Sequence, residues 1–233
     1  MKLYYIILFL TFIVSHNSYS SDKRFKVHTL AFYNLENLFD TINDTSKRDE
    51  ASPIMEMKYN RSEVYNKKIK NLSKVISGIG FEETKTLPTI VGLCEVENKN
   101  VVEDLINSDL LKNANYGISH FDSPDERGID VALIYRKNIF KILNENSAYL
   151  ELKYASGKIN YTRDQLVVEG VLENEKIYII VNHWPSRSGG ELGSRPYRNK
   201  AAELNMFIID SIQSINKNAK IITMGDFNDD PTN

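Results

Sequence analysis

Five polar residues in this chain stand directly after apolar runs, and their types suit one kind of chemistry. Asn34 follows Leu30-Ala-Phe-Tyr33, and Glu95 follows Ile90-Val-Gly-Leu-Cys94. His183 follows Ile177-Tyr-Ile-Ile-Val-Asn182, while Asp226 and Asn228 follow Ile221-Ile-Thr-Met-Gly225. Carboxylate and amide oxygens are hard donors that suit Mg²⁺ or Mn²⁺ better than zinc. An imidazole beside them can move a proton or steady a phosphoryl oxygen near neutral pH. Together they fit phosphoester hydrolysis, in which a cation offsets charge and a carboxylate orients water.

Each residue taken alone also has a plain structural reading. Glu95 could be a solvated strand end, Asp226 an Asx-turn, His183 a structural hydrogen-bonder and Asn34 a cap. Glu97 competes with Glu95, because alternation along an extended chain could turn both to one face. The Ser186-Arg-Ser-Gly-Gly-Glu-Leu-Gly-Ser-Arg195 stretch could cradle phosphate with backbone N–H groups and Arg187 or Arg195, or simply connect two elements. Cys94 is the only cysteine, which excludes an intramolecular disulfide. In an apolar run it reads as a buried, inert thiol.

The elements that must position these groups alternate between β and α. Apolar patterning predicts strands over residues 25–33, 89–94, 116–121, 129–135, 147–152, 165–172, 176–182 and 219–224. Helical spacing marks 64–79, 98–111 and about 197–215, and residues 40–60 read as a polar loop. Sheets covered by helices follow from that mixture.

Composition is that of one globular domain, with 42% hydrophobic and 26% charged residues and no repeat or linker tract. Lys2, the apolar run Tyr4–Val14 and the small polar stretch after it read as a secretory signal peptide over residues 1–20, leaving 21–233 as the exported domain. The run is too short to span a membrane. Removing it leaves 28 basic and 31 acidic residues, a net charge of −3. That balance argues against broad, sequence-independent binding of nucleic acid through a basic face.

Five segments then occur in a telling order: Phe32-Tyr-Asn-Leu-Glu36, Gly92-Leu-Cys-Glu-Val-Glu-Asn98, Arg127-Gly-Ile-Asp-Val-Ala-Leu-Ile-Tyr135, Val181-Asn-His-Trp-Pro-Ser-Arg187 and Met224-Gly-Asp-Phe-Asn228. The set resembles the motifs of the endonuclease/exonuclease/phosphatase superfamily, on its deoxyribonuclease-like side. The resemblance implies an α/β (α+β) four-layer sandwich of two mixed sheets flanked by helices. It implies a metal-dependent phosphodiesterase, with nucleic acid as the expected substrate and a monomer needing no stable protein partner. Phosphomonoester or phospholipid head-group hydrolysis on the same scaffold is the alternative.

Residue roles are carried over by the same resemblance. Glu95 and Asn34 would bind Mg²⁺ or Mn²⁺, with Asn34 a second ligand or a phosphate contact. His183 would be a general acid or phosphate contact, Asp226 the group that activates water, and Asn228 the holder of a phosphoryl oxygen. Arg163 and Arg187 would contact substrate, and Asp130 would support the site from behind. An exposed arginine in a β region is the bland alternative for Arg163. Members of the superfamily normally finish with further strands and a Ser-Asp-His-like segment, whereas this sequence stops at Asn233. The expectation is a domain supplied without its last part; a naturally short, inactive binding form is the other reading.

Overall fold

The computed structural model describes residues 25–231, so the expected signal peptide lies outside the described residues. Two mixed four-stranded sheets stack face to face, which bears out the expected sandwich. The first has the order β1-β2-β4-β3, formed by β1 (Leu30–Leu38), β2 (Ile90–Val96), β3 (Tyr116–His120) and β4 (Asp130–Arg136). The second has the order β5-β6-β7-β8, formed by β5 (Phe140–Ala148), β6 (Gln165–Leu172), β7 (Glu175–His183) and β8 (Lys220–Asp226). Helices α1 (Arg61–Gly78) and α3 (Lys99–Ile106) cover the first sheet, α4 (Glu191–Ile215) covers the second, and a short α2 (Phe81–Thr84) links α1 to β2. Among the described residues, no helix is long and apolar enough to cross a membrane.

Strand parity explains the layers. In β2, Val91 and Leu93 turn outward into a core with Ile69, Leu72 and Ile76 of α1 and Val101, Val102 and Leu105 of α3. Ile90 and Cys94 turn inward and meet Val168 of β6 and Ile177, Ile179 and Val181 of β7 between the sheets. Side chains alternate along every strand, so one β-strand feeds two cores. Gly92 sits at the tightest point of the seam. A Cβ there would lie 2.7 Å from Met224 Sδ and 3.2 Å from Phe32 Cδ2, so a side chain at that position would make Met224 or Phe32 give way.

Two connections matter for the site. β1 pairs parallel with β2 across α1, and β7 pairs parallel with β8 across α4. Parallel neighbours need such helical crossovers, and they end at the same edge of the sheet. Four strand ends therefore meet at one rim.

Three sequence readings shift. The first strand begins at Leu30 and runs to Leu38, so Asn34 lies inside it rather than after it. The strand expected at 147–152 runs instead over Phe140–Ala148; it is an edge strand whose polar outer face hides its alternation. Helix α4 starts at Glu191, six residues early, and carries Pro196 inside it, where the missing N–H leaves the Leu192 carbonyl without its usual helical donor.

Candidate active site

The same parity that builds the inter-sheet core delivers the functional side chains. Leu30, Phe32 and then Asn34 lie on the inner face of β1, and Ile90, Gly92 and Cys94 on that of β2. Ile177, Ile179, Val181 and His183 continue the inner face of β7, as Met224 and Asp226 do for β8. His183 stands opposite Asp226 in the parallel register, and Asn34 opposite Cys94. The side-chain donor atoms of Cys94, His183 and Asp226 lie within 4.8 Å of one another.

Simple alternation would send Glu95 to the outer face. It is brought back by a bulge: the β1–β2 and β2–β4 registers both slip here, and Glu95 adopts φ 59°. Glu36 and Asn37 on β1 share that left-handed conformation, with φ 53° and 58°. Non-glycine residues held there cost about 1–3 kcal/mol each and gather where a side chain must be re-aimed. The bulge also separates the two acids. Glu95 Oε1 accepts from Asn34 Nδ2 at 3.0 Å and Oε2 from the Asn37 N–H at 2.8 Å, whereas Glu97 Oε2 turns away to the Asp40 N–H at 2.6 Å. The two carboxylates do not share one face.

Asn34 ties the centre together. Its Nδ2 also donates to Asp226 Oδ2 at 3.1 Å, and its Oδ1 accepts the Glu36 N–H at 2.7 Å. That last bond fixes which end of the amide is oxygen. Asn34 therefore presents N–H to both carboxylates and orients them. Asp226 Oδ1 accepts the Asn228 N–H at 3.0 Å, so the Asx-turn is present as well, and it sets the carboxylate's angle. Asn228 is left-handed, at φ 50°, and its Nδ2 donates to the Trp184 carbonyl at 2.9 Å.

His183 is 6% exposed, with Nε2 3.9 Å from Glu95 Oε1 and a buried Nδ1 that has no partner among the described residues. Burial, then the positive charges of Arg163 and Arg127, push it down to about 2. The ring is thus neutral near pH 7, able to donate one N–H but carrying no spare proton. Cys94 is held protonated by burial and by the neighbouring Glu95 and Asp226 charges, which leaves it inert as expected.

The arginines and Asp130 are each engaged by neighbouring groups of the protein. Arg163 is buried rather than exposed, and it holds the backbone behind His183: Nε donates to the His183 carbonyl, Nη2 to the Trp184 carbonyl and Nη1 to Asp125. Arg187 donates to the Asn228 carbonyl and pairs with Asp229 and Asp230. Asp130 accepts from the Ser123 N–H at 2.8 Å and lies 3.2 Å from His120 Nε2, which secures the 120–123 turn.

Three positioning groups escaped sequence reading. Lys68 of α1 donates to the Glu36 and Asn37 carbonyls and pins the bulge. Asn205 of α4 reaches Gln165, Asn182 and Thr223, and Asn182 in turn accepts from Trp184 Nε1. Buried Arg198 holds Asp229 at 2.8 Å. Each lies on a helix outside the motifs, and residue type alone gave no sign of its partners.

Glu97 yields a test of this geometry. Burial, with the Asp40, Asp49 and Asp44 charges adding to it, pushes its carboxyl up to about 7, against the lowering effect of the Asp40 N–H. Its folded value lies above the unfolded one, so the fold binds the extra proton between about pH 4.5 and 7. That contribution is present in acid and lost as pH rises through about 7. Glu97→Gln should therefore raise the melting temperature more at pH 8 than at pH 5, read by thermal melts at both. An equal shift at the two values would contradict the burial.

The Endonuclease/Exonuclease/phosphatase family profile matches residues 29–233. The chain belongs to that family. No match to a curated protein sequence was found. Three solved structures share the family's fold. A humanized D. rerio TDP2 carrying 14 mutations is 15% identical, with a TM-score of 0.54, covering 88% of this chain and 64% of that one. A mannosyl-6-phosphatase from Bacteroides thetaiotaomicron VPI-5482 is 16% identical, with a TM-score of 0.56, covering 89% and 67%. ANGEL2, a 2',3'-cyclic phosphatase, is 16% identical, with a TM-score of 0.53, covering 87% and 53%. This chain spans less than two thirds of the TDP2 structures it matches, 64% of one and 47% of another. In this endonuclease/exonuclease/phosphatase family member, the family's motif order and the convergence of four strand ends coincide.

Proposed function

We propose that this protein is an exported, divalent-metal-dependent phosphodiesterase acting on nucleic acid. The observation that carries the reading is the meeting of Glu95, Asn34, His183 and Asp226 where the two sheets close. The donor set fits a hard cation: two carboxylates bridged by one amide, beside a thiol that is kept protonated. Glu95 would hold Mg²⁺ or Mn²⁺ beside Asn34, and the ion would supply positive charge against the phosphate.

The protein's own groups account for the rest. Asp226 is fixed through both oxygens and can take the proton of a water that attacks phosphorus in line, as the opposite P–O bond breaks. Neutral His183 donates its N–H to a phosphoryl oxygen from a dry wall, where such a bond gains strength. Lys68 and Arg163 hold the segments bearing Glu95's partners and His183.

The test is a plasmid-nicking assay on the mature protein, run beside inositol-phosphate and sphingomyelin substrates. Nicking with Mg²⁺ or Mn²⁺ that stops in EDTA is the expected result. Cleavage of only a monoester or lipid head group would replace the nucleic-acid reading with its alternative.

A further inference from the structure

A cavity of about 320 Å³ shares a wall with the catalytic rim. Pro185, Ser186 and Ser188 line it, directly after His183, and so does Arg163, whose guanidinium holds the His183 and Trp184 carbonyls. Tyr154 and Tyr161 face it from the segment between β5 and β6, and Tyr197 from α4, over a buried floor at Leu152. Tyr154 and Tyr161 stay 45% and 43% exposed, and none of the three phenols bonds another described residue. Thr162, 3% exposed in the same lining, has an Oγ1 without a partner.

Charge here departs from the acidic average of the chain. Arg48, Arg127 and Arg163 face only Asp125 and Glu126, which leaves one positive charge in excess. Those acids are already occupied: Asp125 accepts from Arg127 and Arg163, and Glu126 pairs with Arg48. A flat ring joined to an anion needs aromatic faces and guanidinium groups, and this lining has both.

We propose that the cavity is a nucleotide subsite. It takes the base of the nucleotide attached to the phosphate under attack, stacked on Tyr154 and Tyr161, with Arg48 and Arg127 facing the adjoining backbone phosphate. The inference rests on the phosphodiesterase reading and adds the substrate's recognised part.

The experiment compares wild type with Tyr154→Ala/Tyr161→Ala and Tyr154→Phe/Tyr161→Phe. Two diesters are used: thymidine 5'-(p-nitrophenyl phosphate), which carries a base, and methyl p-nitrophenyl phosphate, which does not. The alanine pair should raise KM for the thymidine ester by roughly 10-fold or more, the size of lost base stacking. It should leave kcat/KM for the methyl ester within about 2-fold, and the phenylalanine pair should restore wild-type behaviour. Equal losses on both esters, or no loss on either, would overturn the subsite, as would a selective loss on a hexose 6-phosphate. Calorimetric binding of thymidine 5'-monophosphate in EDTA separates the two proposals. Binding that the alanine pair abolishes supports the subsite even where no ester is cleaved, and binding that is absent or unchanged rules it out.

Discussion

Asp226→Ala is expected to lower kcat by about 10²–10⁴-fold, the range of an acid–base contribution, while the protein keeps its fold. The carboxylate sits at the last residue of β8, half-buried, and its lost partners are one N–H of Asn34 and the Asn228 amide. Neither bond holds the core, so a melting curve should move little. Single-turnover cleavage beside that melt is the measurement, and a kcat within about 3-fold of wild type would remove the proton-acceptor role. His183→Ala should lose about 10²-fold for a different reason, the missing N–H to the phosphoryl oxygen. Because burial keeps His183 neutral, the acid limb of the rate profile between pH 5 and 8 should be the same in that variant as in wild type. A limb that vanishes with His183 would mean the ring titrates in the working range.

The second large effect falls on stability. Arg163→Met should cost about 3–5 kcal/mol, the usual penalty for breaking a buried pair by removing one partner. For a chain of this size that is a fall of roughly 10 °C or more in melting temperature. The change strips the His183 and Trp184 carbonyls of their donors and leaves Asp125 with Arg127 alone. It also removes one of the two positive charges that, after burial, depress His183, so the imidazole should titrate at a higher pH by NMR. A substrate-contacting arginine would behave in the opposite way, with an unchanged melting curve and a raised KM.

How far the sequence reaches can be judged from particular residues. The order of its motifs was enough to indicate the sandwich and to single out Glu95, His183 and Asp226. The sandwich and the roles came from the resemblance those motifs carry; local pattern contributed the strand ends, because an apolar run of five or six residues ending in a polar group reads as a buried strand with an exposed tip. Strand alternation by itself could not choose between Glu95 and Glu97, because the choice depends on a bulge that overrides it. The roles of Arg163 and Asn34 were equally out of reach. A guanidinium or an amide can serve substrate, metal or backbone, and only its neighbours decide which. Here those neighbours are 20 residues away for Arg163 and 192 for the Asn34–Asp226 bond. The strand at 140–148 was missed because an edge strand facing water needs no apolar face.

The sequence by itself determined which residues are chemically able to act and which strands they end. Tertiary structure decided that those ends meet. Two parallel βαβ crossovers bring β1 beside β2 and β7 beside β8, and packing across Gly92 sets one sheet close against the other. Distances of 3 Å between residues nearly two hundred positions apart arise from that packing, a long-range property that no local pattern of residue types encodes.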